Sequence, residues 1–411
     1  MPDLSRIEHK PPTFDEGIGL YLHVPFCQTK CTYCDFNTYV GIEDQMSGYV
    51  ETLIRELTGW GEILGHPPVR SVFFGGGTPS YLPPDDLERI HAAIRAAFAV
   101  EEEAEITMEC NPGDVTPDRA SSWLSSGVNR NSMGIQSFDN ELLSLLGRRH
   151  TADEAKDAFT TLRAAGFTNQ SIDLIYGLPY QTAQQWSDTL ENAIGLEPEH
   201  ISLYSLQIEQ GTPLAVDVQS GKYPLPDDDL AADMYEEAQR SLGQNGFDQY
   251  EISNWSRPGM ESRHNLIYWR NEPYLGVGPG AHSWLGGKRF SNLRSPRRYT
   301  TVVGSAYELQ TVDPVGPMTL PNGPVEQVDH TTPAVDLAET MMMGMRLNSG
   351  VSRDRFTKRF GKSFESTFPD EIKRLSNLGL ISVTNESLLL SDRGRLLGNE
   401  VFAEFVCDLE E

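Results

Sequence analysis

From residue 17 to about 254, short apolar runs alternate with longer amphipathic stretches. The runs at 19–23, 69–74, 105–109, 128–135, 171–176 and 200–206 have the length and composition of strands. Between them, apolar positions recur at helical spacing over 49–64, 85–98, 117–125, 152–165 and 182–194. Thr116 before Pro117 marks one helix start, since a hydroxyl can cap free backbone N–H groups and proline suits the first helical position. Strand–helix alternation with short turns predicts an α/β fold, a parallel sheet with helices outside it, and six units suit a partial barrel. Ligands of such barrels gather at the C-terminal ends of the strands. The loops there carry suitable residues. A cysteine loop follows the first strand, Gly75-Gly76-Gly77-Thr78-Pro79 the second and Glu109-Cys110-Asn111-Pro112 the third.

Beyond residue 254 the pattern changes. Residues 255–299 are rich in aromatics, glycine and arginine without a clean period, and 301–332 reads as a long loop. Helical patterns follow at 333–347, 353–360 and 369–378, then a hairpin at 381–390 around Asn385 and a last helix from Asp392. This order predicts a mainly helical, winged-helix-like C-terminal domain. Glu365, Asp370, Glu371, Asp408, Glu410 and Glu411 offset its basic residues, so a lid or docking use is expected rather than nucleic-acid binding. The expected division is a tail at 1–16, a barrel at 17–254, a connecting segment at 255–332 and the last domain at 333–411.

Composition narrows the class. No run of the 411 residues approaches the ~20 apolar residues of a membrane span, and the first residues lack the apolar core of a signal peptide. Five cysteines, three of them clustered, argue for a reducing compartment and against a disulfide framework, so a cytoplasmic location is expected. A formal charge of −26 disfavours a nucleic-acid partner.

The cluster is Cys27, Cys31 and Cys34, spaced C-x3-C-x2-C. Structural zinc takes four protein ligands, and Cys110 and Cys407 are isolated. Three thiolates around an iron–sulfur cubane instead leave one iron open to a small molecule. The segment resembles the cysteine motif of the radical S-adenosylmethionine (SAM) superfamily. The resemblance implies a [4Fe-4S] cluster on the three cysteines, SAM on the open iron and a (β/α)6 partial barrel. It also implies that the Gly76-Gly77-Thr78 turn receives the amino group of SAM. Glu109, Gln136, Arg148 and Asp173, at strand ends, match other positions that hold SAM, with Tyr21 and Tyr33 as aromatic neighbours. Taken singly, each has an equally good structural reading as a hydrogen-bonding side chain.

The runs HVPFC, GGGTP, ExNP, GIQSF and IDLIYGLP narrow the resemblance to oxygen-independent coproporphyrinogen III oxidases and the related heme chaperones of the HemW type. Phe36 stands where the oxidase loop carries a fourth cysteine, and only about 20 residues precede the first strand, where the oxidases carry an extension. Both departures favour the chaperones. So does Arg263-His264-Asn265-Leu266-Ile267-Tyr268-Trp269, which contains the HNxxYW pattern of that family and implies His264 as a heme ligand. Such a residue is expected on a loop near the barrel mouth. Between 257 and 300 eight basic residues, Arg257, Arg263, Arg270, Lys288, Arg289, Arg294, Arg297 and Arg298, face only Glu261 and Glu272. They suit either heme propionates or ion pairing with the acidic barrel. The resemblance thus implies a protein that binds heme and passes it to an acceptor, such as a respiratory protein. The alternative is oxidative decarboxylation of coproporphyrinogen III.

Overall fold

In a computed structural model describing residues 8–305 and 323–406, the apolar runs become strands. They are β1 (Ile18–Val24), β2 (Pro68–Gly76), β3 (Ala99–Cys110), β4 (Arg130–Gln136), β5 (Gln170–Tyr176) and β6 (His200–Ser205). Each pairs in parallel with the next. Helices Met46–Leu64, Pro84–Ala97, Pro117–Ser126, Ala152–Ala165 and Ala183–Gly195 return the chain between them. Their starts are built locally. The Thr116 hydroxyl accepts from Arg119 N–H, and Thr151 and Thr182 form capping boxes with Glu154 and Gln185.

Period-two alternation gives the sheet two different faces. Leu20, Leu22, Val24, Val72, Phe74 and Met108 are buried in the main apolar core. Each such side chain contributes roughly 1.5–3 kcal/mol when fully buried. The intervening positions carry polar and aromatic groups such as Tyr21, His23, Ser71, Phe73, Glu109 and Asp173, which bond or stack on one another across the barrel.

The sheet does not stop at residue 254. β7 (Asp248–Glu251) and β8 (Asn254–Ser256) extend it beyond β6. On its other side β9 (Tyr274–Val277) runs parallel to β1, and β10 (His282–Leu285), β11 (Lys288–Asn292) and β12 (Val325–His330) follow antiparallel. Twelve strands of the described residues form one sheet, ordered β12-β11-β10-β9-β1-β2-β3-β4-β5-β6-β8-β7. The connecting segment is therefore sheet for much of its length. Most of its strands are too short, at three to five residues, to display a period. The expected loop at 301–332 is also shortened at both ends, by helix Pro296–Ser305 and by β12; its middle lies outside the described residues.

The C-terminal part follows the expected order. Helices Pro333–Gly344, Arg353–Phe360, Phe364–Thr367 and Pro369–Asn377 surround a small sheet of β13 (Val351–Ser352), β14 (Ile381–Val383) and β15 (Ser387–Leu390). Phe356, Phe360, Phe364, Phe368, Leu388 and Val401 fill its own core. A buried ion pair, Arg359 with Asp336, joins it to the barrel side, where Asn271 Nδ2 donates to Asp336 Oδ1 at 3.0 Å and His9 Nε2 lies 2.7 Å from Oδ2. No described helix is long and apolar enough to cross a membrane.

Candidate functional site

The loop after β1 brings Cys27, Cys31 and Cys34 to the rim of a cavity of about 440 Å³ at the C-terminal ends of the barrel strands. All three thiols are half-buried. Thr78 Oγ1 donates to Cys27 Sγ at 3.4 Å, and Arg148 Nη1 to Cys31 Sγ at 3.3 Å. Burial raises the pKa of Cys27 and Cys34, against the hydroxyl of Thr78 in the first case and the Phe36 backbone in the second. Among the described residues, no three Cys, His, Asp or Glu side chains converge tightly enough to hold one metal ion. Three thiols on one cavity rim fall short of the four protein ligands that structural zinc takes.

The glycine turn reaches the same cavity because nothing larger fits there. A Cβ on Gly77 would lie 2.7 Å from the carbonyl oxygens of Val24 and Phe26, and one on Gly76 (φ +105°) would lie 2.5 Å from the His23 ring. Tyr33, Gly76, Gly77, Thr78, Glu109, Gln136, Arg148 and Asp173 all line the cavity with the cysteines. Gly76 N–H donates to Glu109 Oε2 at 3.1 Å. Burial, and then the charge of Asp173, push the Glu109 carboxyl up to about 8. Burial likewise raises Asp173, although Ser132 Oγ lies 3.1 Å from both its oxygens.

Gln136 sits at the end of β4 with φ +72°, and its Oε1 is buried without a hydrogen-bond partner. A strained backbone and an orphaned acceptor at the cavity wall fit a ligand carrying hydrogen-bond donors. Arg148 is held by Asn111 Oδ1 and the Gly134 carbonyl and faces both cavity and cluster loop. The donor set thus suits a zwitterion, with acceptors on one wall and a guanidinium on another.

Two of the residues expected at the mouth lie elsewhere in this structure. Tyr21 does not line the cavity. Its hydroxyl bonds His23 Nδ1 at 3.0 Å and its ring stacks on Phe73, one layer deeper in the barrel. His264 is not at the mouth. It lies in the first turn of helix Arg263–Trp269, which closes the opposite end of the barrel. Its Nδ1 is 2.9 Å from Ser71 Oγ, its Nε2 is 2.8 Å from the Tyr268 hydroxyl, and its ring stacks on Phe73. Glu105 accepts from the backbone N–H of both Arg263 and His264, anchoring the helix start by charge and hydrogen bonds. Burial, assisted by Arg130, lowers the His264 pKa to about 3. Both ring nitrogens are used, so this conformation offers no lone pair to an iron.

The basic residues of 257–300 do not form one patch. Arg289 pairs with Glu339 at 2.7 Å, Arg298 with Glu326 at 3.1 Å, and Arg257 lies on the Phe247 ring. Arg294 and Arg297 are exposed, and the Arg294 carbonyl accepts from Asn37 Nδ2 at 2.9 Å, close to the cluster loop.

Sequence reasoning did not single out Asn111, which links Arg148 to Thr78 through its own Nδ2–Oγ1 bond of 3.1 Å. Its place in the quoted ExNP run was the available signal. Tyr204, at the end of β6, also lines the cavity and had no signal beyond its strand-end position.

The chain matches the Radical SAM superfamily over residues 21–193 and the HemN C-terminal domain over 331–397. It is 35% identical to the heme chaperone HemW of Bacillus subtilis over 390 residues, covering 95% of this chain and 99% of that protein. Against HemW of Mycobacterium tuberculosis it is 35% identical over 98% of this chain and 96% of the relative. Against the mitochondrial radical S-adenosyl methionine domain-containing protein 1 of Bos taurus it is 32% identical, covering 98% and 90%. Among solved structures, the coproporphyrinogen III oxidase HemN of Escherichia coli superposes with a TM-score of 0.80 at 23% identity, over 97% of this chain and 91% of that one, which shows a shared fold. With its cysteine loop, glycine turn and strand-end polar residues around one cavity, the chain belongs to the HemW family of heme chaperones, within the radical SAM superfamily.

Proposed function

We propose that this protein carries one [4Fe-4S] cluster on Cys27, Cys31 and Cys34, binds SAM beside it, and holds heme for delivery to an acceptor protein in the cytoplasm. The observation that carries the first half is the shared cavity: three thiols, a glycine turn no Cβ could replace, and an orphaned Gln136 oxygen on one wall. When bound, the cluster would supply a one-electron reductant with an open coordination position. The protein's own contribution is positioning. Glu109 and the Gly76–Thr78 turn would accept from the ammonium of SAM, Arg148 would donate to its carboxylate, and Gln136 and Asp173 would accept from its nucleoside. Tyr33 would pack against the ligand. Arg148 also steadies the Cys31 sulfur, so ligand and cluster loop share one guanidinium.

The heme half rests on the named relatives rather than on a ligand in the barrel, since His264 is committed to the floor in this conformation. Anaerobic incubation of reconstituted protein with coproporphyrinogen III, a reductant and SAM, beside a heme titration, tests the reading. A stable heme complex and no protoporphyrinogen are expected. Robust SAM-dependent conversion would overturn the proposal and make the protein an oxidase.

A further inference from the structure

A second cavity, of about 640 Å³, lies at the opposite end of the barrel, between its floor and the C-terminal domain. Its walls come from the start of β1 and β2, from the end of helix Arg263–Trp269, and from the helices and strand around residues 340–359. Six cations line it, Lys10, Arg70, Arg270, Arg355, Lys358 and Arg359, against the acids Glu16, Glu272 and Asp354. This excess of positive charge stands out in a chain of −26.

The cations are unequally satisfied. Arg359 is engaged with buried Asp336. Arg70 (2.9 Å) and Arg355 share the single carboxylate of Glu272. Lys358 reaches Glu16 only at 4.0 Å, with both side chains exposed. The Arg270 side chain makes no hydrogen bond or ion pair with a described residue. Partial burial lowers its pKa, and Arg355 and Arg70 add to the effect against Glu272. Two arginines on one carboxylate with a third unpaired beside them leave room for an added anion, and a carboxylate matches a guanidinium by two parallel bonds.

The remaining wall is apolar. Pro11, Pro12, Trp269, Val351 and Phe356 face the same space, and a cavity of this size lies in the range that takes a small organic ligand. On helix Arg263–Trp269, His264 and Tyr268 turn into the barrel floor while Trp269 lines the cavity beneath. No Cys, His, Met or Tyr is among the lining residues.

We propose that this interdomain cavity is the cargo site, taking a tetrapyrrole by its propionates and macrocycle, with Arg270 and Lys358 as the principal carboxylate contacts. The proposal rests on the heme reading above and supplies its missing site. Because the walls offer no axial ligand, recognition is of the carboxylates and the ring, and iron is not required for it.

The test is titration of heme and of iron-free protoporphyrin IX into the cluster-loaded full chain. Wild type is compared with Arg270→Gln/Lys358→Gln, Arg270→Lys, and the mouth pair Arg294→Gln/Arg297→Gln. The double variant should weaken both ligands by about tenfold or more, the loss of a charge-assisted bond. Arg270→Lys should fall between wild type and the double variant, keeping the charge but losing the two-bond fork, the mouth pair should be unchanged, and porphyrin dimethyl ester should bind wild type as weakly as the acid binds the double variant. Among the described residues, neither Arg270 nor Lys358 has an ion-pair partner closer than 4.0 Å to lose, and an unchanged cluster spectrum certifies the fold. Tetrapyrrole binding indifferent to Arg270 and Lys358, or lost instead with the mouth pair, would overturn this proposal alone. Failure of wild type to bind either ligand would overturn the heme reading and this proposal with it.

Discussion

The two ends of the barrel are built on opposite principles. At the mouth, polar groups are left short of partners: Gln136 has a positive φ and an orphaned oxygen, and Glu109 and Asp173 are raised carboxyls in one cavity. At the floor, the polar groups around His264 are satisfied within the protein, by Ser71, Tyr268 and Glu105. Unmet hydrogen-bonding capacity costs stability unless a ligand supplies the partner. The mouth is therefore built to bind, while the His264 layer closes the barrel above the second cavity, and a conspicuous histidine motif can serve that structural purpose.

Substitutions at the two ends should separate these roles. The largest effect is expected from Cys31→Ala. Anaerobically prepared wild type should contain about four irons and four sulfides per chain, and the variant should lose them, while Cys110→Ala keeps them. Iron and acid-labile sulfide analysis checks this, and a full cluster in the variant would break the comparison. Gly77→Ala comes next. Its new Cβ would press on the Val24 and Phe26 carbonyl oxygens, so about 1–3 kcal/mol of stability should be lost together with SAM affinity. Denaturant unfolding and equilibrium dialysis would measure the two.

At the floor, His264→Ala should lower stability by about 1–3 kcal/mol by stranding Ser71 and Tyr268, with the cluster intact. The folded pKa of His264, about 3, lies below its unfolded value. The unfolded chain therefore takes up the proton first, and the wild-type advantage should shrink as pH falls from about 6.5 toward 3. Loss of heme binding at an unchanged unfolding midpoint would instead show that the floor helix opens and His264 reaches iron. The smallest effect is expected from Glu109→Gln. With a folded pKa of about 8, Glu109 keeps its proton where the unfolded chain has lost it. Its stabilising contribution is full below about 4.5 and falls as pH rises through about 8. The SAM-free variant should gain at most about 1–2 kcal/mol over wild type near pH 8, since water enters the cavity, and little at pH 5. Thermal melts at the two pH values would show it; equal differences at both would refute the assignment.

The strand–helix order was legible because each unit is long enough to display its period. The helix at Ala152–Ala165 and the start of the helix at Pro117 fall where their caps put them. β9 to β11 were not legible, because strands of four or five residues carry no usable alternation. Motif spacing was enough to bring Cys27, Cys31, Cys34, Gly77, Gln136 and Arg148 to one cavity, since strand ends converge in a barrel. It misplaced His264 because a motif fixes neighbours along a helix and not which end of the barrel the helix closes. Asn111 was missed because its role, bridging Arg148 to Thr78, exists only once three strand ends meet.

The central claim is that the mouth presents a cluster with one open iron to SAM. Electron paramagnetic resonance of the reduced, reconstituted protein tests it most directly. A [4Fe-4S] signal that changes on adding SAM in wild type, and that loses this response in Gln136→Ala/Arg148→Ala, is the result predicted. A cluster signal indifferent to SAM in wild type would contradict the account.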